Sequence, residues 1–104
     1  MSLAVQHHKL LLEHGAVRVL ETRIRPGERT AGHSHPWPAA LYVVSFSDFV
    51  RQDSDGKVLV DSRTQPTKAQ PGTAVWSPPL PVHSILNVGT TEMVIIAVEL
   101  KPKE

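Results

Sequence analysis

The sequence predicts an all-β chain folded as a small antiparallel barrel or sandwich. Short apolar runs, alternating or β-branched, recur between Gly, Pro and Asp turn signals about every eight to twelve residues. No stretch of ten or more residues carries a helical period, and only a weak one lies over residues 6–13. The length of 104 residues suits one domain with one core.

The elements follow in chain order. Residues 9–13 form a short apolar strand. In the next, Val17, Val19, Glu21 and Arg23 alternate with Leu20, Thr22 and Ile24, and Pro26-Gly27 ends the run as a turn. Further strands are predicted over residues 40–45, 46–51, 57–61, 73–77, 82–87 and 93–100. Asp53-Ser54-Asp55-Gly56 joins two of them as a hairpin turn, because Asp and Gly tolerate positive φ. The same aspartates resemble half a calcium loop, but the glutamate such a loop needs further on is absent. A single domain is expected over residues 1–104, with 1–8 as a less ordered N-terminal segment.

Composition narrows the function classes. The chain has no cysteine, so any metal must rely on imidazole, carboxylate or water. A net charge of +1 with interspersed acids and bases lacks the clustered basic face of a nucleic-acid binder. No secretory pattern opens the sequence and no apolar run approaches the roughly 20 residues that span a bilayer. A cytoplasmic protein with no nucleic-acid or membrane partner is expected.

Histidines carry the chemistry. His33 and His35 stand two apart, so on a strand both side chains reach one face and can clasp one metal. A second stretch runs Gly72, five residues, Pro78, four residues, His83, three residues, Asn87; the first runs Gly27, five residues, His33, one residue, His35. In order and spacing these resemble the two motifs of the cupins, and the resemblance covers residues 10–100, nearly the whole chain.

The resemblance implies a small single-domain, RmlC-like cupin: an antiparallel double-stranded β-helix, or jelly-roll barrel, with His33, His35 and His83 pointing inward to share a divalent metal. The usual fourth ligand is a glutamate four or five residues after the second histidine, where this chain has Ala39 and Ala40. The expected site is therefore a three-histidine variant, suited to Fe(II), Zn, Ni or Cu. Glu21 or Glu99 would replace the missing carboxylate only if its strand turned it inward. Ser47 and Leu80 stand where the motifs usually carry glycine, which bears on turns more than on chemistry.

Around these residues, Trp37 and Arg23 are the candidates for the substrate pocket. Trp37 sits between Pro36 and Pro38, and Arg23, with Arg25 and Arg29, leads toward the site and could grip a carboxylate. Tyr42 is the candidate catalytic acid or hydrogen-bond donor. His7, His8 and His14 lack motif spacing and are assigned to the surface, Trp76 to packing, and Asn87 to anchoring backbone. The proline-rich run 77–81 reads as a rigid turn rather than a polyproline ligand. Exposed edge strands predict a homodimer.

An all-neutral ligand set leaves the metal's full charge to attract a small anionic molecule. The leading expectation is a dioxygenase-like enzyme, as the resemblance to three-histidine cupins implies. The alternatives are a non-catalytic ligand-binding or sensing barrel, one that has kept its histidines without metal, and a metal-free isomerase or epimerase. The last is weakened by the lack of a recognisable histidine and tyrosine pair.

Overall fold

The computed structural model describes residues 7–102. Nine strands and one 3-10 turn follow in order: β1 His8–Glu13, β2 Val17–Ile24, β3 His33–His35, β4 Ala39–Ser45, β5 Phe49–Asp53, β6 Val58–Asp61, the turn Ser62–Thr64, β7 Ala74–Ser77, β8 Leu80–Asn87 and β9 Met93–Leu100. Residues 1–6 of the expected N-terminal segment lie outside the described residues. The weak helical period over 6–13 gives way to a strand, because β1 gains a full antiparallel partner in β2.

Five strands pair in the order β1-β2-β9-β4-β7 and four in the order β3-β8-β5-β6. Every pairing is antiparallel. The two sheets face one another across a cavity of about 220 Å³ lined from both. Alternation along each strand decides what enters it. Thr22 and Ile24 of β2, Ala39, Leu41 and Val43 of β4, and Met93, Ile95, Ala97 and Glu99 of β9 all face inward. Between them, Tyr42 and Val44 on β4 and Trp76 on β7 are turned outward and exposed.

Two strand starts differ from expectation by more than one residue, for physical reasons. The strand expected at 46–51 begins only at Phe49, because Ser47 and Asp48 are held in a connection of their own. Ser47 Oγ donates to Asn87 Oδ1 at 2.7 Å, and Asp48 accepts from Ser62 Oγ at 2.8 Å. The strand expected at 82–87 begins at Leu80 and includes Pro81. Pro81 is tolerated because a bulge lies there: His33 pairs with His83 but His35 with Leu80, so β8 carries one extra residue.

The turns match their sequence signals. Asp53 Oδ1 accepts from the backbone N–H of both Asp55 and Lys57 at 2.9 Å, and Gly56 takes φ +84°. Gly27 and Gly72, the first residues of the two motifs, both sit at φ +82°, a conformation that costs a residue with a Cβ.

Asn87 ties the sheets together where β8 ends. It is 1% exposed. Its Nδ2 donates to the carbonyls of Ile24 (2.8 Å) and Thr91 (2.9 Å). Its Oδ1 accepts from Ser47 Oγ and from Gly89 N at 2.9 Å. Asn87→Ala orphans those groups, and we expect a loss of about 2–4 kcal/mol in urea unfolding, with the circular-dichroism spectrum of a β protein retained. A loss below about 0.5 kcal/mol would contradict the anchoring role.

Candidate metal centre

The histidine cluster is built by β3 and the bulge it pairs with. His33 and His35 lie two apart on a three-residue strand, and His83 is the direct cross-strand partner of His33. Their ring centres lie 4.8 Å (His33–His35), 4.6 Å (His33–His83) and 5.3 Å (His35–His83) apart. All three line the cavity, with His33 and His83 buried.

Hydrogen bonding settles which nitrogen each ring offers. His33 Nδ1 lies 2.8 Å from the Ala31 carbonyl and His83 Nδ1 lies 2.7 Å from the Pro81 carbonyl. His35 Nδ1 lies 3.4 Å from Glu99 Oε2. A carbonyl only accepts, so Nδ1 of His33 and His83 carries the proton and Nε2 keeps its lone pair for the cavity. The Glu99 carboxylate orients His35 in the same sense. The proline inside the bulge thus has a second use, since its carbonyl aims His83.

The ring separations suit one divalent ion, while the ligand nitrogens that lie within 4.8 Å of one another are those of His8, His33 and His35, a set that does not include His83. An imidazole bound at about 2.1 Å keeps its ring centre about 3.2 Å from the metal, so rings sharing one ion at about 90–115° lie roughly 4.5–5.4 Å apart. The three observed separations fall in that range. Outer partners on Nδ1 are the support that ligating histidines ordinarily have.

A fourth histidine joins them. His8, at the start of β1, is buried and lines the cavity rather than lying on the surface. The ligand nitrogens of His8, His33 and His35 lie within 4.8 Å of one another. The His8 ring centre is 4.9 Å from that of His33 and 6.4 Å from that of His35. Strand parity was the available signal: His8 pairs with Thr22, which also faces inward. His7 is buried as well, with Nε2 3.7 Å from Glu28, and only His14 of the three is exposed.

The carboxylate missing from the first motif has a counterpart on the neighbouring strand. Ala39 faces the cavity directly opposite Glu99 in the β4–β9 register. Glu99 is 0% exposed and is held by Arg18 Nε at 2.7 Å as well as by His35. Burial pushes its carboxyl up, but the bonds to His35 and Arg18 outweigh that and keep it below the usual value. The Arg18 guanidinium also stacks 4.8 Å over Trp37, which is among the residues lining the cavity. Glu21, the other candidate, pairs instead with Arg23 at 2.7 Å.

Two expected site residues lie elsewhere. Tyr42 is 46% exposed on the outer face of β4, because alternation sends Leu41 and Val43 inward and Tyr42 out. Arg23 is on the outer face of β2 for the same reason, paired with Glu21 and, at 3.2 Å, with Glu92. Arg29 is also external, and its guanidinium reaches Gln52 and Ser84. The arginine that does line the cavity is Arg51 of β5, which no motif marks.

No protein-family model matches the chain, and no curated protein matches it. Solved structures do. A cupin domain from Bordetella pertussis Tohama I superposes with a TM-score of 0.75 at 21% identity, over 91% of this chain and 92% of that one. An RmlC-like cupin family protein with a double-stranded β-helix fold from Methanocaldococcus jannaschii gives 0.63 at 14%, over 89% and 77%. A cupin-like protein from Thermotoga maritima gives 0.56 at 26%, over 89% and 66%. The fold is that of a small cupin, the antiparallel double-stranded β-helix that the motif spacing implied.

Burial pushes His83 down to about 4, and it lowers His33 in the same direction against the bond to Ala31. Unfolded imidazoles take up protons near pH 6.5, so between about 6.5 and 4 the unfolded chain binds more protons than the folded one. Stability is therefore full above that window and lost as pH falls through it, by about 2–4 kcal/mol for His83. The contribution of Glu99 is lost only lower, below the ordinary 4.5. In chelator-treated protein the urea midpoint should fall steadily from pH 7 to pH 4, and His83→Leu should flatten that fall. A midpoint that stays constant would mean the ring is charged when folded.

Proposed function

We propose that this chain is a metal-dependent cupin that holds one divalent ion through His33, His35 and His83, with His8 as a further ligand, and takes a small chelating anion in its barrel. The observation that carries the reading is the set of Nδ1 contacts to Ala31, Pro81 and Glu99 on three histidines that line one cavity, which leaves each Nε2 without a competing partner among those bonds. Imidazoles kept merely for packing have no need of a common orientation.

Each residue then has a task. Glu99 fixes the tautomer of His35, and Arg18 fixes Glu99. Trp37, stacked on Arg18, walls the cavity, and the surrounding Phe46, Phe49, Ile95 and Met93 keep it apolar. Bound Fe(II) would supply oxygen activation next to a chelated anion, the dioxygenase-like reaction that suits neutral nitrogen donors with open positions. The chain's single tyrosine, Tyr42, is external, which disfavours a histidine and tyrosine pair in a metal-free isomerase.

Elemental analysis of protein expressed without a histidine tag should find near-stoichiometric divalent metal in the wild type and none in His33→Ala/His83→Ala. His8→Ala should bind metal at least about tenfold more weakly at the same stoichiometry. Ala40→Glu should leave affinity unchanged, because Leu41 and Ala39, not Ala40, face the cavity. Metal absent from the wild type even after reconstitution would overturn the reading. Oxygen uptake with candidate anions, lost in His83→Ala, separates an enzyme from a non-catalytic binding barrel.

A further inference from the structure

The histidine cluster occupies one part of the cavity. On the same inner face lies Arg51 of β5, which pairs across the sheet with Ile85, two residues from His83. Diagonal neighbours in such a ladder stand roughly 7–8 Å apart at Cα, within reach of a long side chain. The buried Nε of Arg51 has no hydrogen-bond partner among the described residues. Burial is the single cause that lowers its pKa, with no acidic neighbour contributing. The other strand arginines of the barrel are matched, Arg18 by Glu99 and Arg23 by Glu21 and Glu92, and in the 3-10 turn Arg63 is matched by Asp61.

A guanidinium stays charged at any physiological pH, so leaving its Nε dry and unpaired costs stability unless a ligand completes it. The side-on edge formed by Nε–H and a terminal N–H matches a carboxylate with two parallel hydrogen bonds. One cation favours one negative charge. The fold offers no α-helix N-terminus among the described residues to share a phosphate dianion. Most of the remaining wall is apolar, Phe46, Phe49, Leu41, Val43, Ile85 and Ile95 among it, with Thr22, Thr30 and Ser77 as its hydroxyl-bearing members. The one acid lining the cavity among the described residues, Glu99, is already bonded by Arg18 and His35. At about 220 Å³ the space is smaller than the 300–1,000 Å³ typical of drug-sized ligand sites.

We infer that Arg51 is the anion anchor of the barrel, and that the natural ligand is a small monocarboxylate with an apolar body, held by its carboxylate on Arg51 beside the histidine cluster. This deepens the proposed function and rests on the same cavity, but it does not require the metal.

The test is calorimetric titration of full-length protein, metal-free and Zn-loaded, with 4-methyl-2-oxopentanoate and with its uncharged methyl ester. The wild type should bind the acid at least about tenfold more tightly than the ester. Arg51→Met should erase that preference, and Arg51→Lys, a point charge without the fork, should retain part of it. Arg51→Met should melt no lower than the wild type, since it replaces a half-buried cation with a dry, unpaired Nε by a side chain of similar length; Arg51→Lys keeps the comparison open if it does melt lower. An acid preference that survives in both variants overturns the anchor, as does equal or undetectable binding of acid and ester to the wild type. If Zn fails to bind while the Arg51-dependent preference persists, the anchor stands and the metal reading falls. If Zn binds and Arg51→Met changes nothing, the reverse holds.

Discussion

The buried carboxylate of Glu99 is the interaction on which the interior depends. A fully dry carboxylate is destabilising unless charge and hydrogen bonds compensate it. Here Arg18 meets it from the adjacent strand β2 and His35 meets it from the opposite sheet. One group therefore ties the five-stranded sheet to the histidine cluster, fixes the tautomer of a cavity histidine and, through Arg18, positions Trp37. It also accounts for the small residue at position 39. A glutamate there would stand directly opposite Glu99 on the same face, where like charges repel.

The rest of the cavity shows the same economy. Asn87 satisfies all four of its hydrogen-bonding positions within the protein. His33 and His83 satisfy Nδ1 with backbone carbonyls. What is left facing the cavity is the Nε2 side of those two rings and the buried Nε of Arg51. Two buried side-chain atoms among the described residues lack a partner, His7 Nδ1 and Arg51 Nε, and of these only Arg51 lines the cavity, where an outside molecule can complete it.

Much of this was legible along the chain, and the limit has a physical form. The spacing of Gly27, His33 and His35 and of Gly72, Pro78, His83 and Asn87 carried the resemblance to the cupins, and that resemblance implied both the fold and a shared location for three histidines. Parity was harder. Whether Tyr42 or Leu41 faces inward depends on register, and a shift of one residue exchanges the faces of a whole strand. Placing the first residue of β4 at Ala39 sends Tyr42 outward, and the alternation of β2 does the same to Arg23. His8 was hidden differently, since no motif spans the distance from β1 to β3.

By itself the sequence determined the all-β class, the hairpin at Asp53–Gly56, the two glycine turns and the convergence of His33, His35 and His83. The class and the turns rest on local stereochemistry, and the convergence of His83 with a histidine pair at least 48 residues away followed from the resemblance of the two spaced motifs to the cupins. Only the tertiary structure decided that His8 completes the cluster, that Glu99 rather than Glu21 supplies the carboxylate, and that Arg51 rather than Arg23 is the cation inside. Those choices are made by cross-strand register between segments up to 91 residues apart (His8 and Glu99). Register is set by the packing of the whole barrel rather than by any one strand.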